Sequence, residues 1–395
     1  MIRLLKNITR LDAALARMGE AITPGSATVV VPLADAVGRY AAETLHAKLP
    51  VPHFRRSTMD GFAVVARGTV GASESVPALL QLGRQDEQGC VAVLTGAAIP
   101  FPYDAVVMQE YTERLSDETV LATRPVASGD NVMDVGEDVL AGSLLISPGE
   151  RLSPSDIAVL ATQGVTAVRV RSFTVGIIST GNEVVPIAAA PQVGQIRDCN
   201  AHYLAAFCAS RGVTSVSLGI VEDDEAELAL VLAAGLAQCD ALVLSGGSSA
   251  GALDFTSQAI LRLPAARIAV HGLAIKPGKP TVLATVGGRL IVGLPGHPLS
   301  CAVVAHKALW PLVCLAAGLL PPPAWEVEAE LSRAVASVPG RRDFIPVRLE
   351  RGSAIPLMAK SAAIQVLSQA DGLLTLPEEC EGYNARTRVH VELWR

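Results

Sequence analysis

Apolar residues recur every three or four positions at Ile8, Leu11, Leu15, Met18 and Ile22, which predicts an amphipathic opening helix with Thr9 and Asp12 as its capping pair. From about residue 49 to 140 the pattern shortens to apolar runs at 63–66, 91–95, 105–108 and 119–122, punctuated by Gly, Pro, Asp and Ser. That pattern predicts a small β-rich unit. Helical spacing returns over 152–160, behind Ser153 and Pro154. The β-rich unit (49–140) therefore reads as an insertion into an N-terminal discontinuous helical domain made of 1–48 and 141–172.

Beyond residue 173 strands and helices alternate: strand 174–178, helix 200–211, strand 215–221, helix 225–237 and strand 241–244. A helix then runs from Asp254 to 263, followed by strands at 267–275, 281–286 and 289–292 and a long helix from about 299 to 318. Gly287-Gly288 marks a hairpin. Continuous apolar strands alternating with helices predict a doubly wound, mostly parallel α/β sheet domain over 173–320. Pro321-Pro322-Pro323 is a stiff spacer, and strand-like alternation at 327–335, 344–349, 373–376 and 388–394 predicts a C-terminal small β domain over 324–395. The fold class is thus α/β and β, multidomain.

Composition narrows the function. Half of the 395 residues are apolar, 18% are charged, and the net charge is −6, so a disordered chain and a general nucleic-acid surface are both excluded. The seven cysteines form no CxxC pair, which reads as buried reduced thiols in a cytoplasmic protein. The start lacks the apolar core of a secretory signal. The one membrane-like stretch, 301–320, contains His306, Lys307 and Pro311. At about 2.5–3.5 kcal/mol for a mid-bilayer lysine, it reads as a buried helix and no membrane partner is expected.

Candidate chemistry gathers at the carboxyl ends of the central strands, where open α/β sheets bind ligands. Ser179-Thr180-Gly181-Asn182-Glu183 follows the first strand and Ser245-Gly246-Gly247-Ser248-Ser249 the third. Their glycines let backbone N–H groups approach a phosphate, although ordinary strand-to-helix turns look the same. Lys276-Pro277-Gly278-Lys279-Pro280 holds two ammonium groups close together, which fits either an oxyanion between them or carboxylates beside them. Leu294-Pro295-Gly296-His297-Pro298-Leu299-Ser300 opens the long helix, capped through Ser300 or fixed by Pro298. Asp60, Asp138, Glu183, Asp198, Asp223, Asp224 and Asp254 flank these turns. Such carboxylates hold magnesium or move protons, or cap helices, as Asp224 with Glu227 and Asp254 would.

Ten ordered segments carry a resemblance that covers essentially the whole chain. Besides the turns above they include 54–63, 94–96, 136–142, 196–200, 221–223 and Gly340-Arg341-Arg342-Asp343-Phe344. The chain resembles the molybdopterin molybdotransferases, the molybdenum insertases to which the E domain of gephyrin is similar. The resemblance implies a homodimer of four-domain subunits, with the active site between the α/β domain of one and the β insertion of the other. It implies magnesium-dependent insertion of molybdate into adenylylated molybdopterin with release of AMP. By carry-over, Thr180, Gly181, Gly246, Gly247, Ser249 and Asp254 would cradle the pterin-phosphate-adenylate, and Lys276 and Lys279 would neutralise oxyanion charge. Asp60, Asp138 and Glu183 would organise magnesium and the attacking water, with Asp223 and Asp254 as further catalytic carboxylates. Thr95, Asp198, Pro280, His297 and Ser300 complete the implied substrate site. The adenylyltransferase that makes the substrate and the recipient molybdoenzymes are the implied protein partners.

Several positions depart from the family pattern: His297 replaces asparagine, Asn182 an acidic residue and Ser248 a valine. Pro346 stands for an arginine, and Gln365-Val366 for a serine pair. The last two remove oxyanion donors, which leaves a non-catalytic molybdopterin-binding or scaffold paralogue as the alternative.

Overall fold

A computed structural model describes residues 8–246, 252–321 and 323–394, and the side chains of 252–254 lie outside the description. The chain forms two compact units, one of 1–43, 148–154 and 167–395, the other of 44–147 and 155–166.

In the first unit the central sheet has six strands: β1 (Thr174–Thr180), β2 (Thr214–Val221), β3 (Ala241–Gly246), β4 (Ala266–His271), β5 (Val282–Val286) and β6 (Arg289–Leu294). Their order is β2-β1-β3-β6-β5-β4. β2, β1, β3 and β6 run parallel, and the antiparallel β5 leads to the edge strand β4. Strand periodicity sends alternate side chains to opposite faces, and both faces are covered. Val175, Ile177, Val243 and Val292 enter one core with Leu204 of helix Cys199–Ser210 and Leu299, Val303 and Leu312 of the long helix region. Ile178, Leu242, Leu244 and Ile291 enter the other with Leu228 and Leu232 of helix Glu225–Gln238 and Ile260 of helix Ala252–Leu261. The chain leaves β1 to build β2 on one side and then crosses to β3 on the other. The carboxyl ends of β1 and β3 therefore flank the topological switch point, where a crevice opens.

Local details decide several expectations. Asp224 caps its helix through Ala226 N and Glu227 N at 2.8 Å each. The hairpin at Gly287-Gly288 has both glycines at positive φ, as a primed turn requires. Thr9 and Asp12 do not cap the helix Leu11–Ala21, which has no side-chain cap. Thr9 instead bridges by its backbone to Gly272 and Ala274, and Arg342 takes the Asp12 carboxylate. Asp254 falls inside its helix rather than before it, so it is no cap. Beside the expected N-terminal helix, Thr28–Pro32 and Ala167–Arg171 pair as an antiparallel two-stranded sheet.

The predicted long helix is three segments, Pro298–Val304, a π-helical turn Ala305–Leu309 and Trp310–Ala317, closed by Gly318 in the left-handed conformation. Pro298 occupies its first turn and Ser300 does not cap it. It is long and apolar enough to cross a membrane, yet it is mostly buried as a core helix. Its polar residues are accommodated locally. Burial and the adjacent Arg211 push His306 down to about 3, so the ring is neutral, and Lys307 pairs with Glu392. The seven cysteines are free, five of them buried.

The C-terminal strands Glu326–Leu331, Arg342–Glu350, Ser353–Pro356, Gly372–Leu376 and Arg388–Leu393 pair in a closed ring. Closure removes sheet edges and encloses a small core around Leu331, Val347, Leu374 and Val391. A short strand, Ile275–Lys276, joins this barrel parallel to Arg342–Glu350, with Lys276 in register with Asp343.

The second unit is built on a six-stranded sheet that includes Gly61–Val64, Gly89–Val93, Ala105–Met108 and Thr119–Ala122. Val64, Leu80, Val107 and Val120 fill its core. Most of helix Pro154–Thr162, expected beside the N-terminal segment, groups with this unit.

Candidate active site

At the switch point, a cavity of about 470 Å³ is lined by Gly181, Glu183, Asp198, Asp223, Gly246 and His297, among others. Six of the sequence-predicted site residues thus converge. The two glycines make the opening. Gly246 has φ +127°, and a Cβ there would stand 1.9 Å from Thr180 O, so the two turns approach too closely for any side chain. Gly181 has φ +135°, and a Cβ would meet the Glu183 carboxylate at 2.7 Å. The N–H of Gly181 is bonded to Val221 O at 3.2 Å, so this residue contributes room rather than a donor. Thr180 is fully buried beneath the cavity, and its Oγ1 has no hydrogen-bond partner.

The carboxylates divide by their partners. Asp198 is committed: Oδ1 accepts from Ala201 N at 3.0 Å as a helix cap, and Oδ2 accepts from Ser179 Oγ at 2.5 Å. Glu183 and Asp223 are exposed in the cavity, and neither has a basic partner among the described residues. Asn182, where the resemblance led to an acidic residue, accepts from Asp223 N at 3.0 Å. Asn200 Nδ2 donates to Gly296 O at 2.8 Å, fixing the turn that carries His297.

Magnesium takes oxygen ligands and commonly binds through one or two carboxylates with substrate phosphates and water. Glu183 and Asp223 fit that donor set. No group of three or more His, Cys, Asp or Glu among the described residues is arranged to hold a metal without substrate.

A second cavity, of about 630 Å³, lies in the same unit and shares His297 with the first. It takes in Lys276, Lys279, Pro280 and Ser300 of the predicted set. The two lysines are not equivalent. Lys276 Nζ lies 3.0 Å from Oδ2 of the buried Asp343, whereas Lys279 has no acidic partner among the described residues. Of the two explanations for adjacent cations, a carboxylate serves the first lysine and the second remains free for an anion. Pro346 lines the cavity, while Gln365 and the buried Val366 do not.

Sequence reasoning missed four polar residues of this cavity, Arg341, Asp343, Lys360 and Ser361. The charged run Arg341-Arg342-Asp343 entering an apolar strand was a signal for two of them, while nothing marked Lys360 or Ser361.

Asp60, Thr95 and Asp138 belong to the β-rich unit. Asp60 Oδ1 accepts from Thr95 N at 2.7 Å and Thr95 Oγ1 at 2.8 Å. These two bonds hold the Asp60 carboxyl below its ordinary value. Asp138 is exposed. Gly247, Ser248 and Ser249 lie outside the described residues, as does the side chain of Asp254.

Three family models match the chain: the MoeA N-terminal region (domain I and II) over 9–164, "Probable molybdopterin binding domain" over 176–313, and the MoeA C-terminal region (domain IV) over 328–394. The chain is 32% identical to a molybdopterin molybdenumtransferase of Haemophilus influenzae, over 77% of this chain and 76% of that protein. It is 31% identical to the molybdopterin molybdenumtransferase of Bacillus subtilis, over 92% and 89%. Among solved structures, a molybdopterin biosynthesis MoeA protein of Pyrococcus horikoshii superposes with a TM-score of 0.81 at 33% identity, covering 98% of this chain and 99% of that one.

Proposed function

The chain belongs to the MoeA family of molybdopterin molybdenumtransferases, and from that premise we propose that it inserts molybdate into adenylylated molybdopterin with release of AMP. The observation that carries the reading is the pair of glycines, Gly181 and Gly246, at adjacent parallel strand ends, opening beside a cavity that contains Lys279, which has no acidic partner among the described residues. The pterin and its phosphates would lie over Gly181 and Gly246, where Glu183 and Thr180 leave no room for a side chain. Lys279, and Lys276 held by Asp343, would neutralise oxyanion charge.

In the proposed reaction a water oxygen bonds one phosphorus of the anhydride while the bridging oxygen leaves with the other. Glu183 and Asp223 would hold magnesium, which when bound offsets charge building on the phosphates. Asp60 and Asp138 are the proposed proton-handling carboxylates of the β-rich unit. Asp198 keeps the strand end and helix start together rather than touching substrate. A homodimer, a cytoplasmic setting, and exchange with the adenylyltransferase and recipient molybdoenzymes belong to the same reading.

A scaffold role is the second reading, favoured by the apolar Pro346 in the wall of the cationic cavity. The test is AMP release by the purified protein given adenylylated molybdopterin and magnesium, with and without molybdate. Molybdate-dependent release with formation of active cofactor supports the transferase. Tight substrate binding without release supports the scaffold.

A further inference from the structure

Charge in the 630 Å³ cavity is divided unevenly. Four cations line it, Lys276, Lys279, Arg341 and Lys360, against the single acid Asp343. Two of the four face that acid: Lys276 Nζ lies 3.0 Å from Asp343 Oδ2 and Arg341 Nε 3.7 Å from Oδ1. Lys279 and Lys360 have no acidic partner among the described residues. Like charges that share a cavity repel, and the apolar walls at Phe344, Ile345 and Leu357 strengthen the repulsion. The arrangement therefore favours anionic charge between the two free ammonium groups.

Lys360 is held at this wall by its neighbours in the chain. On one side Leu357 N donates to Pro346 O at 2.8 Å. On the other, the Ser361 carbonyl accepts from Leu299 N at 3.1 Å and Ser361 Oγ lies 2.8 Å from His297 Nδ1. Just beyond, Ala363 N donates to Lys360 O at 2.9 Å and turns the chain. Anchors on both sides fix the backbone of Lys360 against the cavity, while the residue itself remains exposed. An ammonium on a flexible stem is a point charge with rotatable donors, so it responds to the charge of a ligand rather than to a planar shape. Lys360 also supplies a cation to a wall that Pro346 leaves without charge or N–H.

We infer that Lys360 determines the charge specificity of this cavity, selecting with Lys279 a divalent tetrahedral oxyanion over a monovalent one of the same shape. Two ammonium groups without acids offset both charges of a dianion, whereas a monoanion leaves one of them uncompensated. Lys279 alone would discriminate far less. That the dianion in use is molybdate rests on the proposed reaction, while the charge selectivity stands without it.

The test is calorimetric binding of molybdate and of perrhenate, tetrahedral oxyanions of similar size that carry two charges and one, to the full-length protein and its variants. The unaltered protein should bind molybdate at least about tenfold more tightly than perrhenate. Lys360→Gln should weaken molybdate about tenfold and move perrhenate by less than about threefold. Lys360→Arg keeps the charge and should hold molybdate within about threefold of the unaltered protein. The inference is overturned if the unaltered protein binds neither anion or both equally, or if Lys360→Gln retains molybdate affinity. Equal loss of both anions in Lys360→Gln also overturns it, because the side chain would then serve the fold and not the selection of charge. Lys360-dependent selectivity without molybdate-dependent AMP release would sink the proposed reaction and leave this inference standing.

Discussion

His297 Nδ1 lies 2.8 Å from Ser361 Oγ, tying the turn that opens the core helix to a loop of the C-terminal barrel. The backbone repeats the link, because Leu299 N donates to Ser361 O at 3.1 Å. The imidazole stands where the two cavities meet, so Ser361 orients a ring that both ligand spaces share. Ser361→Ala frees the ring but keeps the backbone link. One partly exposed hydrogen bond is worth about 0.5–1.5 kcal/mol, so the melting temperature should move by only a few degrees. KM for substrate should rise about threefold to tenfold. Unchanged steady-state kinetics in Ser361→Ala would show that the ring needs no such support.

Two lysines three residues apart should fail in different ways. Lys279 has no acidic partner among the described residues, so Lys279→Ala should raise the molybdate concentration needed for half-maximal AMP release about tenfold with little loss of stability. Lys276→Ala instead leaves the Asp343 carboxylate buried with only Arg341, at 3.7 Å, as a basic partner among the described residues. Because Lys276 is half exposed, we expect a loss of about 1–3 kcal/mol rather than that of a fully buried pair. Urea unfolding and molybdate titration of both variants separate the roles. Equal effects of the two substitutions on both measurements would contradict the assignment.

Asp60 is expected to matter to AMP release and not to substrate affinity. Asp60→Ala should slow release by about a hundredfold while binding stays within about twofold. Its two bonds from Thr95 lower its pKa, so the carboxylate persists to lower pH than an ordinary aspartate. Thr95→Val removes the hydroxyl and keeps the N–H. The pKa should therefore rise toward 3.8, and the acid limb of the rate profile should move to higher pH. An acid limb that does not move would assign it to another group.

The central sheet was legible because its cues are local. Val175 to Ile178 and Ala241 to Leu244 are continuous apolar strands, Asp224 and Glu227 sit at cap spacing, and Gly287-Gly288 admits the hairpin. The glycine turns followed from the same logic, since glycine at a strand end lets backbone and ligand approach closely. What stayed hidden depends on distant partners. Asp12 looked like a capping residue because its true partner, Arg342, is 330 positions away. The choice between an oxyanion and a carboxylate for Lys276 stayed open because its register with Asp343 exists only once one strand leaves the α/β domain for the barrel. Ser361 carries no pattern at all, since a lone serine in a loop acquires meaning only from the histidine it meets.

Asp12 and Arg342 form a two-toothed ion pair, Nη1 to Oδ1 at 3.0 Å and Nη2 to Oδ2 at 2.7 Å, joining the first helix to the barrel. Arg342 holds the Asp12 carboxyl below its ordinary 3.8. A depressed carboxylate pKa means that the folded state prefers the ionised form. Its stabilisation is therefore complete above the unfolded value and is lost as pH falls through the folded one. Asp12 is mostly exposed, so solvent screening limits the pair to under about 1 kcal/mol. Asp12→Asn should cost that much at pH 7 and progressively less as pH falls toward 2, as the native aspartate takes up its proton. Arg342→Gln should cost more at pH 7, because Arg342 also lies 3.2 Å from the buried Glu378, whose carboxylate would keep only Arg10, at 3.5 Å. Urea unfolding at both pH values checks the order. A deficit in Asp12→Asn that persists undiminished at low pH would mean that the side chain acts through helix packing and not through its charge.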